Sequence, residues 1–414
     1  MGKVKVLTAR QAADLIKDGD TVTLSGFVAN GIAEALNAAA EERFLETGHP
    51  KDLTLFWVAG TGNKDGSHAD HYAHEGMVKK VIGGHFNFVP KICEMLSENK
   101  IEGYNVPQGA IAQMLRDNAA HKVGTISHVG IGTFADPRNG GGRLSEKTKE
   151  DIVKVIELEG QEQLFYPRIP LDVAFIRGTY ADELGNITLE KEMAPLDATS
   201  QAMAVHNNGG LVVVQVERVV KAGHLDPKLV KIPGIYVDAV VECPADDPKQ
   251  SQSINCTYDP AYAGNTQVPV SSLEPKKLDA KKIIGRRAAM ELKKNVVVNL
   301  GVGVPEWVSS VAAEEGVADE MTLTVECGPV GGVPGGGLRF GGSVNAQAYM
   351  DEGYQFDFYD GGGLDLCFLG LAEVDNNGDV NVSRLGTRIT GSGGFTNISS
   401  NSKKLFSAVH LQTV

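Results

Sequence analysis

At 414 residues the chain is too long for one ordinary hydrophobic core, so two domains are expected. A formal charge of −13 argues against general nucleic-acid or anionic-membrane binding, which needs a basic footprint, yet leaves room for a phosphorylated small molecule held by local amides. Its 42% hydrophobic content and 49 glycines fit a loop-rich α/β chain, and five scattered cysteines with no CxxC pair argue against a disulfide framework or zinc ribbon and suit a reducing compartment.

The opening residues, MGKVKVLTARQAADLIKDGD, contain no apolar signal-peptide segment, and no run approaches the length of a membrane span. A cytoplasmic protein is expected. Short apolar, β-branched runs at 22–25, 53–58, 172–176, 211–216, 296–300, 322–325 and 364–369 read as strands. Amphipathic stretches such as 33–45 and 306–315 lie between several of them. This alternation predicts βαβ units and a largely parallel sheet.

The plan occurs twice. LDVAFIRGTYADELGNIT (171–188) lies over LDLCFLGLAEVDNNGDVN (364–381) without a gap, pairing Phe175 with Phe368, Asp182 with Asp375 and Gly185 with Gly378. Each reads as a strand, a D-x-x-G turn and a second strand. TVTLSGFVANGIAEAL (21–36) resembles VVVNLGVGVPEWV (296–308), and LTLFWVAG (53–60) resembles MTLTVECG (321–328). A Pro-, Ser- and Asp-rich stretch separates the copies. The expected organisation is an N-terminal domain over 1–242, a linker over 243–280 and a C-terminal domain over 281–414. The second domain is expected to be incomplete, because SKKLFSAVHLQTV reaches the end where the counterpart of 211–216 should start.

The copies differ most where Glu326 lies opposite Val58. A lone carboxylate at a strand end, followed by six glycines between 328 and 337, is costly unless its chemistry compensates. It reads as a nucleophile or base, with a surface-loop acid as the alternative. GVGVPE (301–306) could hold a phosphate at a helix N-terminus but matches neither GxGxxG nor Walker A. NGGGRL (139–144), GGGL (361–364) and GSGGF (391–395) read as tight turns. His68, His71 and His74, at three-residue spacing, are expected to fan across a helix surface, so no metal site is expected. Cys327 and the tryptophans Trp57 and Trp307 read as core.

Several long motifs carry a resemblance that covers nearly the whole chain. They include DGDTVTLSGFVANGIAEAL (18–36), HEGMVKKVIGGHF (74–86), YNVPQGAIAQMLRD (104–117), VGIGTFADPRNGGG (129–142), ECGPVGGVPGGG (326–337), YDGGGLDLCFLGLAEVD (359–375) and GDVNVSRLG (378–386). On these the chain resembles the family I CoA-transferases, in particular the short-chain acyl-CoA:acetate/propionate (lactate) group. The resemblance implies two tandem open α/β domains with the active site between them, and a homo-oligomer. It makes Glu326 the nucleophile of a ping-pong reaction in which the carboxylate is converted to an acyl anhydride and then to a glutamyl-CoA thioester. Coenzyme A is then a substrate, and no permanently bound cofactor is implied. Oxyanion donors are implied at Gly393 and Gly394 on one side and at Ala59 and Gly60 on the other. Gly301, Val302, Gly303 and Asn381 are implied on the CoA side, and Gln108 in the acyl pocket. Three departures stand out: Cys327 where relatives carry a smaller residue, Ala33 in place of a proline, and the tail FSAVHLQTV.

Overall fold

The computed structural model describes residues 2–254 and 256–410. Its larger sheet has eight strands in the order Lys5–Leu7, Ala239–Glu242, Leu211–Val216, Val173–Arg177, Thr21–Leu24, Leu53–Trp57, Val78–Gly83 and Glu102–Asn105. Every neighbouring pair runs parallel. A parallel sheet is covered on both faces by its crossover helices, which is why its central strands are continuous apolar runs. Leu53–Trp57 and Val173–Arg177 are buried along their whole length.

The second sheet repeats the centre of the first. Thr322–Thr324, Val297–Leu300, Leu366–Leu369 and Leu405–Ser407 are adjacent and parallel. Leu24 lies opposite Phe175, as Leu300 lies opposite Phe368. Val22 lies opposite Leu55, as Val298 lies opposite Leu323. Both copies therefore share one register, which equates Ser25 with Gly301. The D-x-x-G hairpins form as expected, with Gly185 at φ 87° and Gly378 at φ 90°.

The expectation that the second copy stops short of its next strand is corrected. Leu405–Ser407 is that strand: Phe406 sits opposite Phe368 as Val213 sits opposite Phe175, and the Phe368 and Phe406 rings stack at 5.1 Å. Among the described residues, the second sheet has no counterpart of Ala239–Glu242 or Lys5–Leu7 beyond it. The last part of the tail, 411–414, lies outside the described residues.

On its other edge the second sheet departs from the first. Where the first continues with parallel strands, the second turns back antiparallel through Pro329–Val330 and Ala348–Tyr349. Gly328 makes that turn with φ 135°, and a Cβ there would lie 2.2 Å from the Met350 carbonyl oxygen. Only glycine fits. Glu326 is thereby placed at the tip of a tight hairpin.

Three other expectations change. The segment His68–Tyr72 is a 3-10 turn, not an α-helix; His68 is buried and T-stacks on Trp57, while His71 and His74 pair with Glu34 and Glu41. Trp57 is buried, but Trp307 is only half-buried, with the Lys276 ammonium over its ring. The linker stretch is packed in its first half, where Gln250, Gln252 and Ser253 are buried and Arg177 donates to the Gln250 carbonyl at 2.9 Å. No helix among the described residues is long and apolar enough to cross a membrane.

Candidate active site

The two halves meet where the GSGGF loop of the second docks onto strand ends of the first. Phe86 N–H donates to the Thr390 carbonyl at 2.7 Å, Gly393 N–H to the Gly84 carbonyl at 2.8 Å, and Gln108 N–H to the Gly393 carbonyl at 3.2 Å. Asn105 completes the seam: its Oδ1 accepts the Ser392 N–H at 3.0 Å, and its Nδ2 donates to the carbonyls of Gly83 and Gly84. Glu326 reaches the same place from the hairpin tip, and a cleft of about 540 Å³ opens between the halves.

Glu326 is 7% exposed. Burial pushes its pKa up to about 7, against the pull of its own backbone N–H and of the Asn299 amide. Asn299 Nδ2 donates to Glu326 Oε2 at 3.3 Å and is shared with the Tyr359 hydroxyl at 3.3 Å. That hydroxyl donates to Thr324 Oγ1 at 2.8 Å and accepts from Gln355 Nε2 at 2.9 Å. The nucleophile candidate thus sits on a buried polar chain, which fixes its rotamer and leaves it short of solvation.

Of the residues implied by resemblance, Glu326, Gly393, Gly394 and Gln108 line this cleft with Gly60, Gly301 and Val302. Ala59, Gly303 and Asn381 are not among its lining. Ala59 is fully buried and packs with Val325 and Cys327. Gly303 N–H donates to Glu306 Oε1 at 2.7 Å, and Asn381 Nδ2 donates to Glu373 Oε2 at 2.7 Å. The Gly393 N–H is engaged by Gly84, whereas the Gly394 N–H meets no acceptor among the described residues. Gly394 also packs on the carboxylate's stem: a Cβ there would come within 3.5 Å of Glu326 Cγ. Cys327 is not among the residues lining the cleft. Its thiol is buried and donates to the Gly341 carbonyl at 3.1 Å. Ala33 is the N-cap of helix Glu34–Thr47 and supplies no side-chain cap.

Sequence reasoning missed several side chains of the site. His85 lines the cleft; its Nδ1 accepts the Asn87 N–H at 3.3 Å, and burial lowers its pKa to about 4. It is therefore a neutral imidazole with its proton on Nε2. A Cβ on Gly60 would lie 2.4 Å from its Nδ1, so that glycine is required for the ring to lie where it does. Asn299 was signalled as the one polar residue in the run VVVNL. Glu306 accepts the Gly303 N–H and, at 3.0 Å, the Gly337 N–H, so it ties the GVG loop to the glycine loop that follows Glu326. Among the described residues no group of three or more His, Cys, Asp or Glu side chains is placed to hold a metal ion.

Two open α/β units meet around a buried glutamate flanked by glycine loops, at a cleft lined from both halves. The sequence matches the Coenzyme A transferase family over residues 6–243, and the chain belongs to that family. It is 44% identical over 407 residues to the acetate CoA-transferase YdiF of Escherichia coli (strain K12), an alignment covering 98% of this chain and 76% of that protein. It is 42% identical over 406 residues to the caffeate CoA-transferase of Acetobacterium woodii, covering 97% and 77% respectively. The crystal structure of the YdiF apoenzyme from Escherichia coli O157:H7 superposes with a TM-score of 0.91 at 42% identity, covering 98% of this chain and 76% of that one. A structure of YdiF in a thioester complex with CoA gives the same TM-score. The protein is a CoA-transferase, moving CoA between an acyl-CoA and an acid.

Proposed function

We propose that the protein transfers CoA between a short-chain acyl-CoA (acetyl, propionyl, lactoyl or butyryl) and a free short-chain carboxylic acid, with Glu326 as the covalent nucleophile. The observation that carries this reading is a buried carboxyl, with a pKa near 7, at the tip of a hairpin in the cleft between the halves. A carboxylate that is poorly solvated in its ground state is a stronger nucleophile than one in water. Its oxygen attacks the thioester carbonyl, the C–S bond breaks, and an acyl-glutamyl anhydride and CoA thiolate result. The thiolate then attacks the glutamyl carbonyl, which releases the first acid as its carboxylate and leaves a glutamyl-CoA thioester. The acceptor carboxylate runs the sequence backwards, so the thioester's energy is conserved.

Each step passes through a tetrahedral oxyanion. The Gly394 N–H from one half and the Gly60 N–H from the other are the donors that this chain offers at the cleft. Gly393 supports the hole by holding its neighbour in place through Gly84, and Ala59 by packing beneath Gly60. Gly301 and Val302 would flank the CoA arm, with Gly303 and Asn381 holding the loops behind them. Relatives named for acids as different as acetate and caffeate support a common transfer step with a variable acyl pocket.

Intact-mass measurement after incubation with propionyl-CoA tests the reading. A CoA-sized covalent adduct is expected, discharged by acetate and absent in Glu326→Gln. Folded protein that forms no adduct, or that releases propionate independently of acetate as its main reaction, refutes it.

A further inference from the structure

Two acids that the transfer reaction does not use sit directly behind the cleft. Glu352 opens helix Glu352–Asp360 and is 1% exposed; Asp197 is the N-cap residue before helix Ala198–Asn207 and is 4% exposed. Asp197 caps nothing with its side chain, and among the described residues neither of its oxygens receives an N–H. The group within hydrogen-bonding reach of it is the Glu352 carboxyl. Glu352 Oε1 in turn accepts Gln108 Nε2 at 2.5 Å, across the boundary between the two halves.

The charges around the pair are mostly negative. Asp351 and Arg116 face Asp197, while Glu326 faces Glu352, and Cys327 lies near both acids. Arg116 does not neutralise them, because its guanidinium is engaged by Asp357 at 2.7 and 2.8 Å. Two carboxyls buried this deeply and facing each other disfavour a second negative charge, because neither can be solvated. A single proton between them satisfies the geometry: Glu352 Oε2–H donates to Asp197, and Oε1 stays free to accept. Burial first, and then the neighbouring acid, hold Glu352 well above the ordinary carboxylate range.

Gln108 is 2% exposed, opens helix Gln108–Ala119 and lines the cleft with Glu326. With its nitrogen committed to Glu352, its Oε1 is turned toward the GSGGF loop, 3.5 Å from where a Cβ on Gly393 would lie. We propose that Glu352 and Asp197, sharing one proton, are positioning residues that lock the Gln108 carboxamide in a single orientation in the acyl pocket. A freely rotating carboxamide would offer donor and acceptor interchangeably and would have to be ordered by each substrate. This inference rests on the transfer reaction proposed above.

The test is a set of variants assayed for transfer from propionyl-CoA to acetate, with thermal unfolding checked for each. Glu352→Leu is expected to raise the KM for acetate about tenfold, the worth of one oriented hydrogen bond, with a smaller change in kcat. Glu352→Gln keeps an acceptor for Gln108 and a donor for Asp197, and is expected to recover most of that loss. The double variant Gln108→Ala/Glu352→Leu is expected to be no worse than Gln108→Ala alone. Equal damage from Glu352→Gln and Glu352→Leu overturns the proposal, as do losses that multiply in the double variant. A wild-type protein that forms the CoA adduct while Glu352→Leu keeps the wild-type KM also overturns it, without touching the transfer reaction. Absence of the adduct in the wild type overturns both.

Discussion

Replacing Asn299 by leucine should move the pH at which Glu326 becomes reactive. The side chain is fully buried and has the same branched heavy-atom skeleton as leucine, and its Oδ1 has no partner among the described residues, so the substitution removes a donor without opening a cavity. The donor it removes favours the charged carboxylate. A hydrogen bond to a charged group contributes about 1.5–3 kcal/mol. Here the contact is long, at 3.3 Å, and shared with the Tyr359 hydroxyl, so the lower end applies. That corresponds to about one pKa unit. Because the attacking species is the carboxylate, the single-turnover rate of adduct formation should rise with pH through about 7 in the wild type. In Asn299→Leu the midpoint should lie about one unit higher, with a similar plateau. Rapid quench followed by intact-mass detection across pH 5.5 to about 9 measures both curves. A midpoint that stays put or moves down would show that Asn299 does not stabilise the ionised form, and the account of the buried chain beneath Glu326 would fall.

Two further outcomes follow from the same electrostatics. The Glu326 carboxyl is raised from 4.5 in the unfolded chain to about 7, so its favourable contribution is complete below about 4.5 and is lost as pH rises through about 7. Glu326→Gln should therefore be stabilising relative to wild type at pH 8, by up to roughly 3 kcal/mol, with a much smaller gap at pH 5; equal gaps in denaturant titrations at the two pH values would contradict this. His71 shows a linkage of the same sign from a different cause. Burial disfavours its charge, but the Glu34 and Glu41 carboxylates at its two nitrogens outweigh this and raise its pKa. Its stabilisation is present below about 6.5 and lost as pH rises through the raised value, so His71→Ala should cost more at pH 6 than at pH 9. A cost independent of pH would mean that the pair is not ionic.

The strands could be read from the sequence because parallel strands buried on both faces are continuous apolar runs, and the runs at 53–58 and 322–325 stand where the structure has Leu53–Trp57 and Thr322–Thr324. The repeat placed Glu326 opposite Val58, and the shared register keeps that correspondence. In the loops that follow, the register sets Ser25 opposite Gly301, because it is fixed by pairing along the strand and not by the turn after it. His68 misled because three-residue spacing was read on an α-helix, but the residue has φ 56° and enters a 3-10 turn facing inward. Glu352, Asp197 and His85 could not be assigned from periodicity at all. Their surroundings are made by contacts such as Gln108 to Glu352, 244 positions apart, which exist only once the two halves have docked. The hairpin after Glu326 had a visible sign in Gly328, but the close approach of Met350 that demands a glycine there is a tertiary fact.

The seam at the GSGGF loop has a consequence for how such a site can be kept intact. The glycines that line the cleft come from opposite sides of a boundary held by backbone and side-chain hydrogen bonds and a shared apolar cluster, so a complete pocket is the product of an association, not of either fold alone. Carrying both halves on one chain turns that association into a unimolecular step, with an effective concentration on the order of millimolar for a short tether. The fraction of pockets assembled then becomes independent of how much protein is present.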